Sequence, residues 1–129
     1  MKKLPKKKTL RNKADRLYQE LGREIFNKCF CGKPYSNLHH HVPKSRSSNL
    51  RYSLENGVPI CAGCHFQHHN GDTRIAYKYI AYMKKLYGED WESRLVKESV
   101  KIVKTDRIYY NNIIEKLTYE KEKAQRNNL

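Results

Sequence analysis

Nowhere does the 129-residue chain hold an apolar run approaching the roughly 20 residues that a membrane-spanning helix needs. A helical membrane protein is therefore not expected. Acidic side chains are scarce too: 13 Asp and Glu stand against 27 Lys and Arg, giving a formal net charge of +14 at pH 7. An imbalance of that size exceeds what solubility requires and implies a polyanionic partner, nucleic acid in preference to an acidic membrane surface. The opening MKKLPKKKTLRNK is basic, but no apolar segment follows it, so no secretory signal is read there and a cytoplasmic location is expected. Cysteine is limited to four residues in two close pairs, Cys29 with Cys31 and Cys61 with Cys64. In a reducing compartment such pairing points to metal ligation rather than disulfides.

The length suits one compact domain with helical extensions. Residues 1–13 read as a flexible basic arm, since positions 2–13 carry seven Lys or Arg, no acid and Pro5. Residues 14–129 read as a single domain. Within it, Ala14, Leu17, Leu21 and Ile25 fall at helical spacing, which predicts a helix over 14–28. From Cys29 to Gly71 the chain is punctuated by Gly, Pro and Ser, as in loops and hairpins. Periodicity returns in a helical extension over 72–125. Its first helix carries Ile75, Tyr79, Ile80, Met83 and Leu86 on one face, with Asp72 or Thr73 as N-cap and Gly88 as C-cap. A second is expected from Asp90 to Lys104 with Trp91, Leu95 and Ile102 inward, and a third from Thr105 or Asp106 with Tyr110, Ile113, Ile114 and Leu117. Residues 121–129 read as a frayed end. These stripes are assigned to packing.

Two clusters carry chemistry. In PICAGCHFQHHNG, residues 59–71, a short helix from about Ala62 to Gly71 would put His65 and His69, four apart, on one face, as two ligands of one ion require. His68, three from His65, is an alternative to His69. The other cluster is LHHHVPKSR, residues 38–46. If its histidines lie on a strand, neighbours face opposite ways, so His40 and His41 cannot both point at a metal. One would bind the ion and the next would face the substrate.

The order and spacing of these residues resemble those of the HNH, or ββα-metal finger, endonucleases. HHVP and LENGVPICAGCH are similar to that family's HHIVP and LENLVPLCxxCH, and the step from the base histidine through Asn to a helical H-x-x-x-H is also similar to the nuclease colicins. The resemblance implies an α+β fold: a small ββα-metal finger with a zinc knuckle, flanked by an N-terminal helix and two to three C-terminal helices. It implies His40, His65 and His69 as ligands of one catalytic divalent cation (Mg2+, Mn2+, Ni2+ or Zn2+), His41 as general base, and Asn56 as the brace of the adjoining loop. Cys29, Cys31, Cys61 and Cys64 would hold a structural Zn2+, although KCFCG is C-x-C where the family has C-x-x-C. The activity implied is hydrolysis of DNA phosphodiester bonds, duplex or branched, to 5′-phosphate and 3′-hydroxyl ends. Lys44, Arg46 and Arg51 are candidate phosphate contacts. A weaker similarity, over LRYSLENG and NGDTRIAYKYIAYMKKLYGEDW, is to the lambdoid phage recombination nucleases of the Rap/NinG type, which implies branched or recombining phage DNA.

Two rival readings have sequence support. A zinc-stapled nucleic-acid-binding module without catalysis would need the same cysteines and the same charge. CAGCH is also C-x-x-C-H, the attachment motif of c-type haem. A haem protein would require export and would leave the histidine triplet without a purpose.

Overall fold

The structure, a computed structural model, describes residues 5–128. The chain runs through α1 (Lys7–Phe26), β1 (Asn37–His40), a short 3-10 turn (Leu54–Asn56), β2 (Gly57–Ile60), α2 (Ala62–His69), α3 (Thr73–Tyr87), α4 (Trp91–Ser99) and α5 (Arg107–Asn127). It is the α+β arrangement expected: a two-stranded finger closed by a short helix, with one helix before it and three after. Among the described residues no helix is long and apolar enough to cross a membrane.

The two strands pair antiparallel, with Leu38 opposite Pro59, His39 opposite Val58 and His40 opposite Gly57. Because side chains alternate, this register gives the ribbon two unlike faces. Leu38 packs with Leu17, Tyr18 and Leu21 of α1 and with Tyr110 and Leu117 of α5. Val58 and Ile60 face the other way, into a second core with Ile75, Tyr79 and Met83 of α3 and Trp91 and Leu95 of α4. Two glycines permit the close approach of α1. A Cβ on Gly22 would come within 2.5 Å of the Leu38 side chain, and one on Gly57 within 2.5 Å of the Tyr18 hydroxyl.

Leu38 and Pro59 stand opposite each other with their backbone polar groups directed to the two outer margins of the ribbon. Pro59 has no N–H to give, and the backbone of Leu38 turns from it to the side chain of Gln19, whose Oε1 accepts from Leu38 N–H at 2.6 Å and whose Nε2 donates to Leu38 C=O at 3.1 Å. On the other side Pro59 C=O accepts from Phe30 N–H at 3.2 Å.

Three sequence expectations need correction. α1 begins at Lys7 and buries Leu10, so the basic stretch from residue 7 to 13 is helix, not a flexible arm; residues 1–4 of that arm lie outside the described residues. α4 ends at Ser99 and Ile102 is 98% exposed, because residues 101–105 form no regular secondary structure. α5 continues to Asn127, beyond the point where fraying was expected. It runs in the same direction as α1, held by Lys121 Nζ on Glu20 at 2.7 Å and by Asn128 Nδ2 on Glu24 C=O at 3.0 Å.

Candidate active site

The base of the finger is a cluster of four cysteines. The Sγ atoms of Cys29, Cys31, Cys61 and Cys64 all lie within 4.8 Å of one another, and those of Cys31 and Cys61 are 3.8 Å apart. Tetrahedral zinc with bonds of about 2.3 Å places its sulfurs about 3.8 Å apart, so the spacing fits such an ion. Cys29 belongs to the cluster despite the C-x-C spacing: Gly32, in the left-handed region at φ 94°, turns the chain, and Cys31 N–H donates to Cys29 Sγ at 3.4 Å. Cys61 also caps α2, its sulfur accepting from Cys64 N–H. Burial pushes the Cys29 thiol up to about 11 and also raises Cys64. At Cys61 burial raises as well, but the Cys64 amide and the neighbouring thiols outweigh it and bring the group to about 7. Four thiols packed this closely cannot all ionise unless a cation lies among them. Cys61 and Cys64, the pair a haem would need, are thus turned to the other two cysteines.

The histidine triplet is disposed one residue away from the sequence expectation. His39, not His40, meets the histidines of α2: its ring centroid lies 5.6 Å from His65, 4.8 Å from His68 and 6.4 Å from His69. The register explains the shift. Leu38 must face the α1 core, so His39 faces α2 and His40 shares the α1 side with Leu38. On α2, His65 and His69 stand one turn apart with their Nε2 atoms 2.9 Å from each other. Burial and the neighbouring histidines hold His39 down to about 3, and burial also lowers His65.

His40 is held on the opposite face. Its ring stacks on Tyr18, centroids 5.3 Å apart and planes 26° from parallel, and its Nε2 donates to Arg51 C=O at 2.8 Å. Nδ1 is the ring nitrogen with no hydrogen-bond partner among the described residues. Burial holds this imidazole below its ordinary value against the raising effect of the Arg51 carbonyl, with Lys44 and Arg51 adding to the lowering. An open cleft of about 520 Å³ is lined by Gln19, His39, His40, Lys44, His65 and His69, so the two faces of the triplet and the α2 pair border one space.

His41, expected as the general base, leaves the strand and is locked. Its Nδ1 bonds the Tyr79 hydroxyl at 2.8 Å and its Nε2 bonds Glu92 Oε2 at 2.8 Å, while its ring lies 4.8 Å from that of Trp91. With both nitrogens bonded to protein groups, neither is free to meet an attacking water. Asn56 is fully buried: Oδ1 accepts from Val42 N–H at 2.8 Å, and Nδ2 donates to Val42 C=O at 3.0 Å and Leu50 C=O at 3.3 Å.

Residues 28–71 match the HNH endonuclease family model. No curated protein and no solved structure matches the chain. The matched domain holds the four cysteines, the histidine triplet, Asn56 and α2, and the family it matches is one of endonucleases. Lys44 and Arg46, beside this domain's cleft, are exposed. Arg51 is turned elsewhere: its Nε and Nη2 grip Asp15 of α1 at 2.9 and 2.7 Å, and it does not line the cleft. Spacing alone does not single out His39, Tyr18 or Asp15, which the fold brings beside these residues. The parity of Leu38, a core residue directly before the triplet, is the signal that points to His39.

Proposed function

We propose that this chain is a metal-dependent endonuclease that hydrolyses DNA phosphodiester bonds to 5′-phosphate and 3′-hydroxyl ends, with His40 as general base. The observation that carries this reading is the division of the triplet. His39 faces two imidazoles of α2, and His40, neutral and with one nitrogen fixed, borders the same cleft.

Two of the donors are already spaced for a divalent cation. Two imidazole nitrogens bound to one ion at 2.0–2.1 Å stand roughly 3 Å apart, and His65 and His69 present theirs at 2.9 Å. His39, His65 and His69 would hold the ion, with His68 adjoining. An ion so held supplies Lewis acidity, stabilising the charge that develops on the phosphate and the departing 3′ oxygen.

The protein's own groups do the rest. Nε2–H of His40, anchored on the Arg51 carbonyl, leaves Nδ1 as the acceptor for a proton from the attacking water. Lys44, on the rim of the cleft, meets the phosphate backbone, and Arg46 in the same loop extends that contact. Asn56 fixes the loop that follows the histidines, so that His40 and Lys44 keep their places.

The test is incubation of the purified protein with supercoiled, linear and four-way-junction DNA across Mg2+, Mn2+, Ni2+ and Zn2+. Cleavage by the parent that is lost in His40→Ala and retained in His41→Phe supports the assignment. A parent that binds DNA but cuts none of the three under any metal would favour a zinc-stapled binding module instead.

A further inference from the structure

We infer that α1, which lies outside the matched segment, belongs to the catalytic centre: Tyr18 and Asp15 are positioning residues that fix the plane and the tautomer of His40. The inference rests on the reading of His40 as general base.

An imidazole can err in two ways, by tilting out of its plane or by turning within it. Tyr18 controls the first. Its ring stacks on His40 at 5.3 Å with the planes 26° apart, and its hydroxyl is tied to Ser53 C=O at 2.7 Å, so the tyrosine cannot swing aside without breaking that bond. Asp15 controls the second, acting through Arg51. Only the Arg51 carbonyl fixes which nitrogen of His40 carries the proton, and that carbonyl sits on an irregular loop. Asp15 clamps the same residue with a two-point ion pair, 2.9 and 2.7 Å, and takes a further bond from the Tyr52 hydroxyl at 2.8 Å.

The two controls come from one helix. Positions 15 and 18 are three apart on α1 and face the finger together. Gln19 adds the grip on Leu38 that holds β1 against the same helix. Within the matched segment itself, the His40 ring has one hydrogen bond, to a loop carbonyl; the surface it stacks on and the clamp behind that carbonyl are both supplied by α1.

The experiment uses the full-length, metal-loaded protein and the variants Tyr18→Leu, Tyr18→Phe and Asp15→Asn, with Leu17→Ala as a control for packing in the same helix. Turnover and KM on duplex DNA are measured alongside zinc content, melting temperature and the ¹⁵N shifts of the His40 ring nitrogens. Tyr18→Leu and Asp15→Asn should each lower kcat by about tenfold or more, since small misplacements of a reacting group are costly. KM should stay within about twofold and zinc content should not change. The parent should show His40 protonated on Nε2, and both variants a mixture of tautomers. Tyr18→Phe keeps the ring but loses the Ser53 tether, so its kcat should fall between those of the parent and Tyr18→Leu. An unchanged kcat and tautomer in Asp15→Asn would overturn the inference. So would a loss of kcat in Tyr18→Leu that Leu17→Ala reproduces at equal melting temperature. If Tyr18→Leu does not fold, Asp15→Asn decides. If His40→Ala cuts at the parent rate, the assignment of the base fails, whereas the ring shifts still report whether α1 orients the imidazole.

Discussion

His41 and Glu92 share a 2.8 Å hydrogen bond that ties the end of the finger's first strand to α4. With Tyr79 on its other nitrogen, His41 is a rivet between the HNH domain and the helices that follow. His41→Ala should therefore cost about 1 to 3 kcal/mol of stability by leaving the hydroxyl of the buried Tyr79 without its partner. Cleavage at a temperature where the variant is folded should stay within about tenfold of the parent. His40→Ala should do the reverse, lowering cleavage by about 10² to 10⁴ with a smaller change in melting temperature. Paired melting curves and plasmid-nicking rates separate the two.

Replacing His39, His65 or His69 with Ala should raise the divalent-ion concentration needed for half-maximal cleavage by at least about tenfold. His40→Ala should leave that concentration nearly unchanged while removing turnover. Isothermal titration with Mn2+ or Ni2+ gives the affinities directly, and undiminished binding in His39→Ala would rule out the ligand set proposed above.

The four-cysteine cluster predicts one tightly held zinc per chain. Structural zinc contributes about 10 kcal/mol or more to folding in small finger peptides, so chelation or Cys31→Ser should unfold the finger, seen as loss of cooperative melting and of the Trp91 fluorescence environment. Restoring zinc to the chelated protein should restore both.

Asn56 bridges Val42 and Leu50 from a fully buried position. Asn56→Ala strands one N–H and two carbonyls and should destabilise the protein by at least about 2 kcal/mol. Because the Val42 loop follows directly on the histidines, kcat should fall further than metal affinity does. Asn56→Asp, which sets a carboxylate oxygen against both carbonyls in a buried site, should destabilise at least as much.

Acid should weaken the fold. His39 binds its proton at about 3 when folded and near 6.5 when unfolded, so between those values the unfolded chain holds more protons than the native one. Stability is then fully present above about pH 6.5 and is lost as pH falls below it. Melting temperatures measured from pH 7.5 to 4.5 should decline over the lower part of that range, and His39→Asn should flatten the decline. Turnover should fall on the acid side as well, as His40 gains its proton, but at a pH below that of an ordinary histidine, because burial lowers this group. A rate that rises toward pH 5 would exclude His40 as the base.

Much of the architecture was legible because it follows from local chemistry. Asp72 caps α3 through Arg74 N–H, Gly88 ends it with a positive φ, and Asp106 caps α5 through Tyr109 N–H, each from side chains whose preferences are intrinsic. The cysteine cluster and the His65–His69 pair follow from spacing along short elements. What spacing could not fix was which of three identical neighbours faces which way. Alternation requires that adjacent histidines diverge, a condition met equally by 39 with 40 and by 40 with 41. The choice is made by Leu38 and Tyr18, which belong to packing between distant segments. Arg51 was misread for a related reason: an arginine in a basic loop looks free until Asp15, 36 residues earlier, is brought against it. The ends of α4 and α5 were misjudged because an apolar Ile102 can be left fully outside, and because α1 supports α5 to its last turn.

The pairing of Leu38 with Gln19 and of Pro59 with Phe30 has an outcome that concerns other molecules more than this one. A short ribbon with a bare margin invites strands from neighbouring chains, the usual beginning of amyloid-like growth. Here one margin is occupied by an amide side chain that mimics a third strand, and the other includes a residue with no N–H to offer, so the ribbon has no open seam at its centre for a fourth. Gln19→Ala would expose that seam, and the first sign should be turbidity in concentrated solution, ahead of any loss of fold.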